Sequence, residues 1–196
     1  MKESILIIMF MSIILAFIII HSSEVSYQEA FIDKDHYLVR NLEDKQKAAN
    51  MLAEIKKRLY KLVIYSCEKV DENDNDCTFI KQYSEVIKRK FNNIIFREST
   101  DNNKFTSYSI NKGEEIVFCL RSKEDDKLHN INELMYVAIH EIAHVGCPEI
   151  GHTPLFLKIN KILLKQAIEC NVYIFKDYGL FPENYCGIML SSNIIS

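Results

Sequence analysis

The sequence lacks several features that would assign it to common classes of protein. Its 196 residues contain no tryptophan, five glycines and three prolines, with no internal repeat and no long low-complexity tract. The 24 basic and 27 acidic residues give a net charge of −3, and the basic residues are spread along the chain instead of forming a stripe. No nucleic-acid partner is therefore expected. The length and the 48% hydrophobic content suit one compact domain with a short additional segment.

One long apolar run stands at the start of the chain. Residues 5–20 are apolar except for Ser12 and carry no charge. As a helix they would span about 24 Å, slightly less than the hydrocarbon core of about 30 Å. We therefore expect residues 1–23 to form a transmembrane or signal anchor of a single-pass membrane protein, for instance in a virion membrane, with the membrane as a partner. One alternative is a cleaved signal peptide, in which Lys2 is the positively charged residue before the apolar run; the mature protein would then be secreted. The other alternative is a buried helix.

The six cysteines show no Cys-x-x-Cys spacing, which argues against a zinc site with cysteine ligands. An even number of cysteines after a membrane signal permits disulfides. Cys67 and Cys77 flank the polar segment 68–76, so they are the pair expected to close most easily. The alternative is that several cysteines are small buried hydrophobic residues.

Hydrophobic periodicity predicts an α+β fold, a small antiparallel or mixed sheet followed by two packed helices. The predicted helices are 42–66, 78–91, 133–145 with Asn132 as its N-cap, and 155–168. The predicted strands are 36–40, 106–110 and 115–121.

Residues 140–144 read His-Glu-Ile-Ala-His inside a predicted helix. Positions i and i+4 share one helical face, so His140 and His144 can reach a single metal ion. Glu141 is rotated from them by about 100°, which places its carboxylate beside a metal-bound water. A chance match has a probability of roughly 2% in a chain of this composition, and two structural histidines on a buried face would be costly to satisfy. The motif predicts one Zn²⁺ per chain, with Glu141 as general base.

A catalytic zinc takes a third protein ligand and keeps one position open. His152 is favoured, because it follows His144 by eight residues through a turn in which Gly151 permits close backbone approach. Glu169 on the next predicted helix and Glu149 in the intervening loop are the alternatives.

The segment from His140 to Phe156 resembles the WLM metallopeptidase family and its SprT-like relatives, which follow HExxH with a glycine-histidine pair and then an aromatic residue. The resemblance extends from about Tyr108 to residues 184–187, and it is greatest to the forms encoded by large DNA viruses. It implies His140, His144 and His152 as zinc ligands and Glu141 as general base. The metzincin pattern is not met, because Ile150 stands where its third histidine would be.

We expect one zincin-like metallopeptidase domain over residues 24–196, with a helical N-terminal part (24–105) and a catalytic part (106–196). The DNA–protein crosslink repair of cellular members is not carried over, because this chain has an apolar N-terminus and no basic patch.

A zinc endopeptidase acting on a protein or peptide substrate is therefore the leading hypothesis. The alternatives are a membrane-anchored structural or adaptor protein, such as a virion component without turnover, and another zinc hydrolase or a metal-storage site. Glu141 favours the peptidase, because a structural zinc needs no base. Strand 115–121 is expected to bind substrate by β-addition. The candidate groups beyond the ligands are Tyr173, Tyr178 and Tyr185 as oxyanion donors, and Asp177 to orient a ligand histidine.

Overall fold

The computed structural model of the protein describes residues 8–15, 24–69, 75–101, 106–192 and 194. The strands in these ranges are β1 (Val25–Glu29), β2 (His36–Arg40), β3 (Ile95–Glu98), β4 (Tyr108–Ile110), β5 (Glu115–Phe118), β6 (Glu183–Tyr185) and β7 (Ile188–Leu190). Besides a helical segment at residues 8–15, the helices are α1 (Lys45–Glu68), α2 (Asn75–Phe91), α3 (Ile131–Gly146) and α4 (Pro154–Glu169). The predicted α+β class is confirmed.

Five strands form a mixed sheet in the order β1-β2-β3-β5-β4. The outer pairs β1–β2 and β4–β5 are antiparallel, whereas β2–β3 and β3–β5 are parallel. A separate antiparallel hairpin joins β6 to β7. The expectation that strand 115–121 binds substrate is wrong, because β5 is hydrogen-bonded on both sides and the exposed edge belongs to β4.

The division of the domain at residue 105 stays a prediction, although the five-stranded sheet takes strands from both sides of that point.

The helices cover the sheet and enclose α3. The predicted apolar stripe of α1 is confirmed, since Leu52, Ile55 and Leu59 are fully buried. Eleven of the sixteen residues of α3 are buried, and this helix contacts α1, α2, α4 and β4. Its N-cap is Asn130 and not the predicted Asn132, because the Asn130 side chain accepts the backbone N–H of Asn132 at 2.8 Å. The helix that carries the HExxH motif is therefore the central element of the core.

Gly146 at the end of α3 permits this packing. A Cβ atom at that position would lie 3.0 Å from the Ile87 side chain and 3.2 Å from the carbonyl oxygen of Tyr83. The close approach of α2 to α3 thus favours a residue without a side chain at this position.

The predicted anchor over residues 1–23 is wrong. Among the residues that the structure describes, no helix is both long enough and apolar enough to cross a membrane. The described part of this segment, residues 8–15, is helical. Residues 1–7 and 16–23 lie outside the described residues. The predicted localisation as a single-pass membrane protein is therefore also wrong.

The predicted cysteine pairing is also wrong. A disulfide joins Cys119, directly after β5, to Cys186 in the β6–β7 turn. Cys67 and Cys77 are buried thiols instead, as the alternative of small buried hydrophobic residues predicted. Residues 70–74 of the polar segment between them lie outside the described residues.

A buried ion cluster joins the sheet to the start of α1. The Arg121 side chain is 3% exposed; its Nε donates to Glu98 Oε1 at 2.8 Å, and its guanidinium lies 2.7 Å from Asp44. The other oxygen of Glu98 accepts the backbone N–H of Arg40 at 2.7 Å. Burial raises the pKa of Glu98, and Arg121 opposes that shift. The hydrogen bond from Arg121 holds the pKa of Asp44 below its usual value.

We expect Arg121→Met to lower the free energy of unfolding by about 3–5 kcal/mol, because it leaves the Glu98 carboxylate buried without its cation. The control is Arg97→Met, which removes a more accessible pair with Glu115 at 2.7 Å and should cost about 0–1 kcal/mol. Urea unfolding followed by circular dichroism measures both losses. A loss at Arg121 no larger than that at Arg97 would contradict the structural role of the cluster.

Candidate metal centre

The structure brings the three histidines of the sequence prediction together. His140 and His144 lie one turn apart on α3, and the following loop returns His152 to the same face. The Nε2 atom of His152 lies 3.0 Å from that of His140 and 3.3 Å from that of His144. Nitrogen ligands at about 2.0–2.1 Å from a tetrahedral zinc are about 3.3–3.4 Å from one another. The three imidazoles therefore fit around one zinc ion.

The loop after α3 is held in place by Lys112, whose Nζ donates to the carbonyl oxygens of Cys147 at 2.7 Å and Glu149 at 2.6 Å. Gly151 has a φ of 82°, a conformation that side chains disfavour. Nothing lies within 4 Å of where its Cβ would be, so the glycine serves this backbone turn and not the close approach that we predicted. Thr153 then caps α4 by accepting the Phe156 backbone N–H at 3.3 Å.

Phe156 packs against all three histidines. Its ring is stacked on that of His144, with centroids 4.0 Å apart, and lies 4.9 Å from His140 and 5.0 Å from His152. The side chain is fully buried in the first turn of α4, so it restricts the orientation of each imidazole. The resemblance placed an aromatic residue after the glycine-histidine pair but did not predict these contacts.

Burial keeps the two helical histidines neutral. It lowers the pKa of His140 to about 3, an effect to which the neighbouring His144 and His152 add. It also lowers the pKa of His144 to about 4, with His152 and Lys112 acting in the same direction. A neutral imidazole keeps the nitrogen lone pair that a metal ion requires. The rings are thus in the protonation state of metal ligands near neutral pH.

Glu141 lies in the same cleft but outside the ligand group. Among the described residues, the group of side chains that could hold a metal ion consists of the three histidines. The Glu141 side chain is buried, and this burial raises its pKa to about 7 against the opposing effect of a backbone hydrogen bond from Ser109. Ser109 belongs to the edge strand β4, so the sheet edge and the motif helix meet at this carboxylate.

Neither alternative third ligand joins the histidines. Glu169 Oε2 accepts hydrogen bonds from Tyr65 at 3.0 Å and from Lys69 at 2.6 Å, at the far end of α4. Glu149 is exposed at the rim of the cleft and is not part of the ligand group. Of the three residues considered, the geometry favours His152.

Tyr185 is the only one of the three predicted oxyanion donors that lines the cleft in the described structure. Its hydroxyl donates to the Cys119 carbonyl at 2.9 Å and lies 2.7 Å from Ser107 Oγ, which itself accepts the Cys119 backbone N–H at 3.0 Å. The hydrogen of the Tyr185 hydroxyl is therefore already used in a hydrogen bond within the protein. Asp177 accepts the backbone N–H of Gly179 at 2.9 Å within a turn. The structure thus shows anchoring contacts for both Tyr185 and Asp177.

The cleft has a volume of about 780 Å³ and contains the three histidines and Glu141. Its walls come from β4 with the preceding residues, α3, the loop 149–152 and the β6–β7 hairpin. It therefore offers room for a chain segment beside the histidines.

Comparison with known proteins identifies viral relatives. No protein-family model matches the chain. A protein of Acanthamoeba polyphaga mimivirus is 40% identical over 173 residues, which cover 88% of this chain and 86% of that protein. A protein of Invertebrate iridescent virus 3 is 38% identical over 98 residues, covering 50% of this chain and 57% of the relative. One of Invertebrate iridescent virus 6 is 40% identical over 82 residues, covering 41% and 44%.

Among solved structures, Wss1 from Saccharomyces cerevisiae superposes with a TM-score of 0.44 and 18% identity, over 68% of this chain and 89% of Wss1. A Wss1 mutant superposes with a TM-score of 0.34. Similarity of this degree carries no information on activity, so the assignment of the metal centre depends on the residues described above.

We expect His152→Ala to weaken zinc binding by more than about 100-fold, because it removes one of three ligand nitrogens. Loss of a residue that only hydrogen-bonds a ligand already costs roughly 10–100-fold in metal affinity. Glu169→Ala is the matched control, since it removes the alternative ligand without touching the cleft. Zinc per chain after purification and dialysis, measured by plasma mass spectrometry, separates the two. Loss of zinc from Glu169→Ala with retention by His152→Ala would contradict the ligand set.

Proposed function

The chain belongs to the same family as the mimivirus protein that is 40% identical to it, and we propose that it is a zinc-dependent metallopeptidase that hydrolyses peptide bonds in a protein or peptide substrate. The observation that carries this proposal is the buried Glu141 carboxylate, in one open cleft with three histidines that fit a zinc ion. A structural zinc site is closed by a fourth protein ligand and needs no carboxylate beside it. Three ligands with a neighbouring base are typical of hydrolytic sites.

His140, His144 and His152 would hold the ion, because the Nε2 atom of His152 lies 3.0 Å and 3.3 Å from those of the other two histidines and the three side chains can share one metal ion. A zinc ion supplies Lewis acidity towards a water molecule and towards a peptide carbonyl in sites of this kind. Phe156 maintains the separations by packing against each ring, and it offers no competing polar atom. The protein's own contribution at this level is the fixed geometry of the ligands.

Glu141 is the proton carrier of the proposed reaction. A carboxyl group whose pKa is near 7 can accept a proton from the attacking water and then release it to the leaving amine. Burial of the side chain limits access of bulk water, so the proton passes between the carboxylate and the reacting groups. The backbone hydrogen bond from Ser109 fixes the carboxylate relative to β4.

The edge strand β4 is the surface on which a peptide substrate would lie. Its partner β5 occupies one side of the strand, and the other side has no strand partner in the five-stranded sheet. Ser107, Tyr108 and Ser109 line the cleft. An extended peptide can add to such an edge through main-chain hydrogen bonds, which would bring its backbone beside Glu141 and the histidines.

We expect Glu141→Gln to reduce kcat/KM for peptide cleavage by about 10²–10⁴-fold, because the amide cannot accept the proton, while zinc stays bound because Glu141 is not a ligand. Cleavage of casein or a labelled peptide, with zinc content measured on the same sample, checks both statements. Glu169→Gln is the matched control, since its carboxylate lies outside the cleft, and it should keep the wild-type rate. Equal cleavage by the wild type and Glu141→Gln would indicate a contaminating protease and contradict the proposal.

A further inference from the structure

The two ends of the cleft differ in chemistry. On α3, Tyr136 and Val137 precede His140 by one turn, and both line the cleft. Beyond His144, at the opposite end, the lining residues include Asn111, Lys112, Glu149 and Ile150, and Lys112 Nζ donates to the carbonyl oxygens of Cys147 and Glu149. The end that includes Tyr136 and Val137 thus presents apolar surface, whereas the end that includes Lys112 also carries charged side chains.

The β6–β7 hairpin supplies the second wall of the apolar end. Tyr185 pairs with Ile188 across the hairpin, and Glu183 pairs with Leu190. Side chains alternate between the two faces of a strand, so Ile188 and Leu190 line the cleft while Met189 points away and is 59% exposed. The Ile188 side chain is 48% exposed. A large apolar side chain is thus left accessible to solvent at the edge of the site.

This hairpin is anchored at several points. The Cys119–Cys186 disulfide and the Tyr185 hydroxyl tie it to the end of β5. Its two-residue turn, Cys186-Gly187, has φ angles of 51° and 82°, the pattern of a tight hairpin turn whose twist matches the strands. Lys176 forms an ion pair with Glu183 at the other end. The apolar wall is therefore formed before any ligand binds, which limits the entropy cost of binding.

We propose that the hairpin sets the substrate specificity of the cleft: a large apolar side chain of the substrate, such as leucine or phenylalanine, binds between Ile188 and Leu190 on one side and Tyr136 and Val137 on the other. The uncovered surface of Ile188 and the lack of charged groups among these four residues select against acidic and basic side chains, whose burial there would be unpaired. This inference depends on the proposed function, because it names the substrate class of the same cleft.

The test measures peptide binding without turnover. The full-length Glu141→Gln protein, loaded with zinc, is titrated into dye-labelled alanine-serine hexapeptides that carry one variable residue: leucine, phenylalanine, aspartate or lysine. Fluorescence anisotropy should show the leucine and phenylalanine peptides binding about tenfold or more tightly than the other two. Ile188→Asp, added to Glu141→Gln, should remove this preference, and Ile188→Ala should reduce it. Met189→Asp introduces the same charge on the adjacent position of the same strand and should preserve it.

Equal binding of all four peptides, no binding by a protein that circular dichroism shows to be folded, or equal effects of Ile188→Asp and Met189→Asp would each overturn the inference. An apolar preference in this assay, with no cleavage by the wild type, would support the specificity wall and contradict the peptidase proposal. Cleavage by the wild type at one rate for all four peptides would contradict the specificity wall alone.

Discussion

Three imidazole rings held close together, two of them partly buried on α3 and the third on the exposed loop that follows it, are the constraint on which the rest of the structure depends. Nε2 atoms separated by 3.0 and 3.3 Å repel one another if the rings are protonated, and burial keeps His140 and His144 neutral. Such a group is costly to bury unless a shared ligand satisfies it. The fold meets this demand by enclosing α3 on several sides, and Phe156 of α4 maintains the separation of the rings.

The parts of the site that are local in sequence were predictable, because helical geometry alone places His140 and His144 on one face with Glu141 beside them. The helices followed from apolar residues at a spacing of 3.6, to within about three residues at each end. The strands β1, β3, β6 and β7 were missed; β3, for example, is paired with β2 and β5, which are distant from it in the sequence. The Cys119–Cys186 disulfide spans 67 residues, and only the tertiary fold brings its ends together.

The wrong prediction that strand 115–121 binds substrate came from the high hydrophobicity of that strand. Residues 115–118 are strongly apolar because β5 has hydrogen-bonded neighbours on both sides and three of its four residues are buried. The weaker pattern of β4, with three half-buried residues, is typical of an edge strand, which retains unpaired backbone groups. High hydrophobicity thus indicated the centre of the sheet, and the strand with the weaker signal borders the cleft.

The most direct test of the metal centre is X-ray absorption spectroscopy at the zinc edge of the purified full-length protein. Three imidazole nitrogens and one oxygen donor at about 2.0–2.1 Å are predicted, with no sulfur neighbour. A zinc–sulfur distance of about 2.3 Å would place the ion on cysteine thiolates, and a folded protein that takes up no zinc would make the histidines structural. Either result would contradict the central claim that His140, His144 and His152 form a catalytic zinc site.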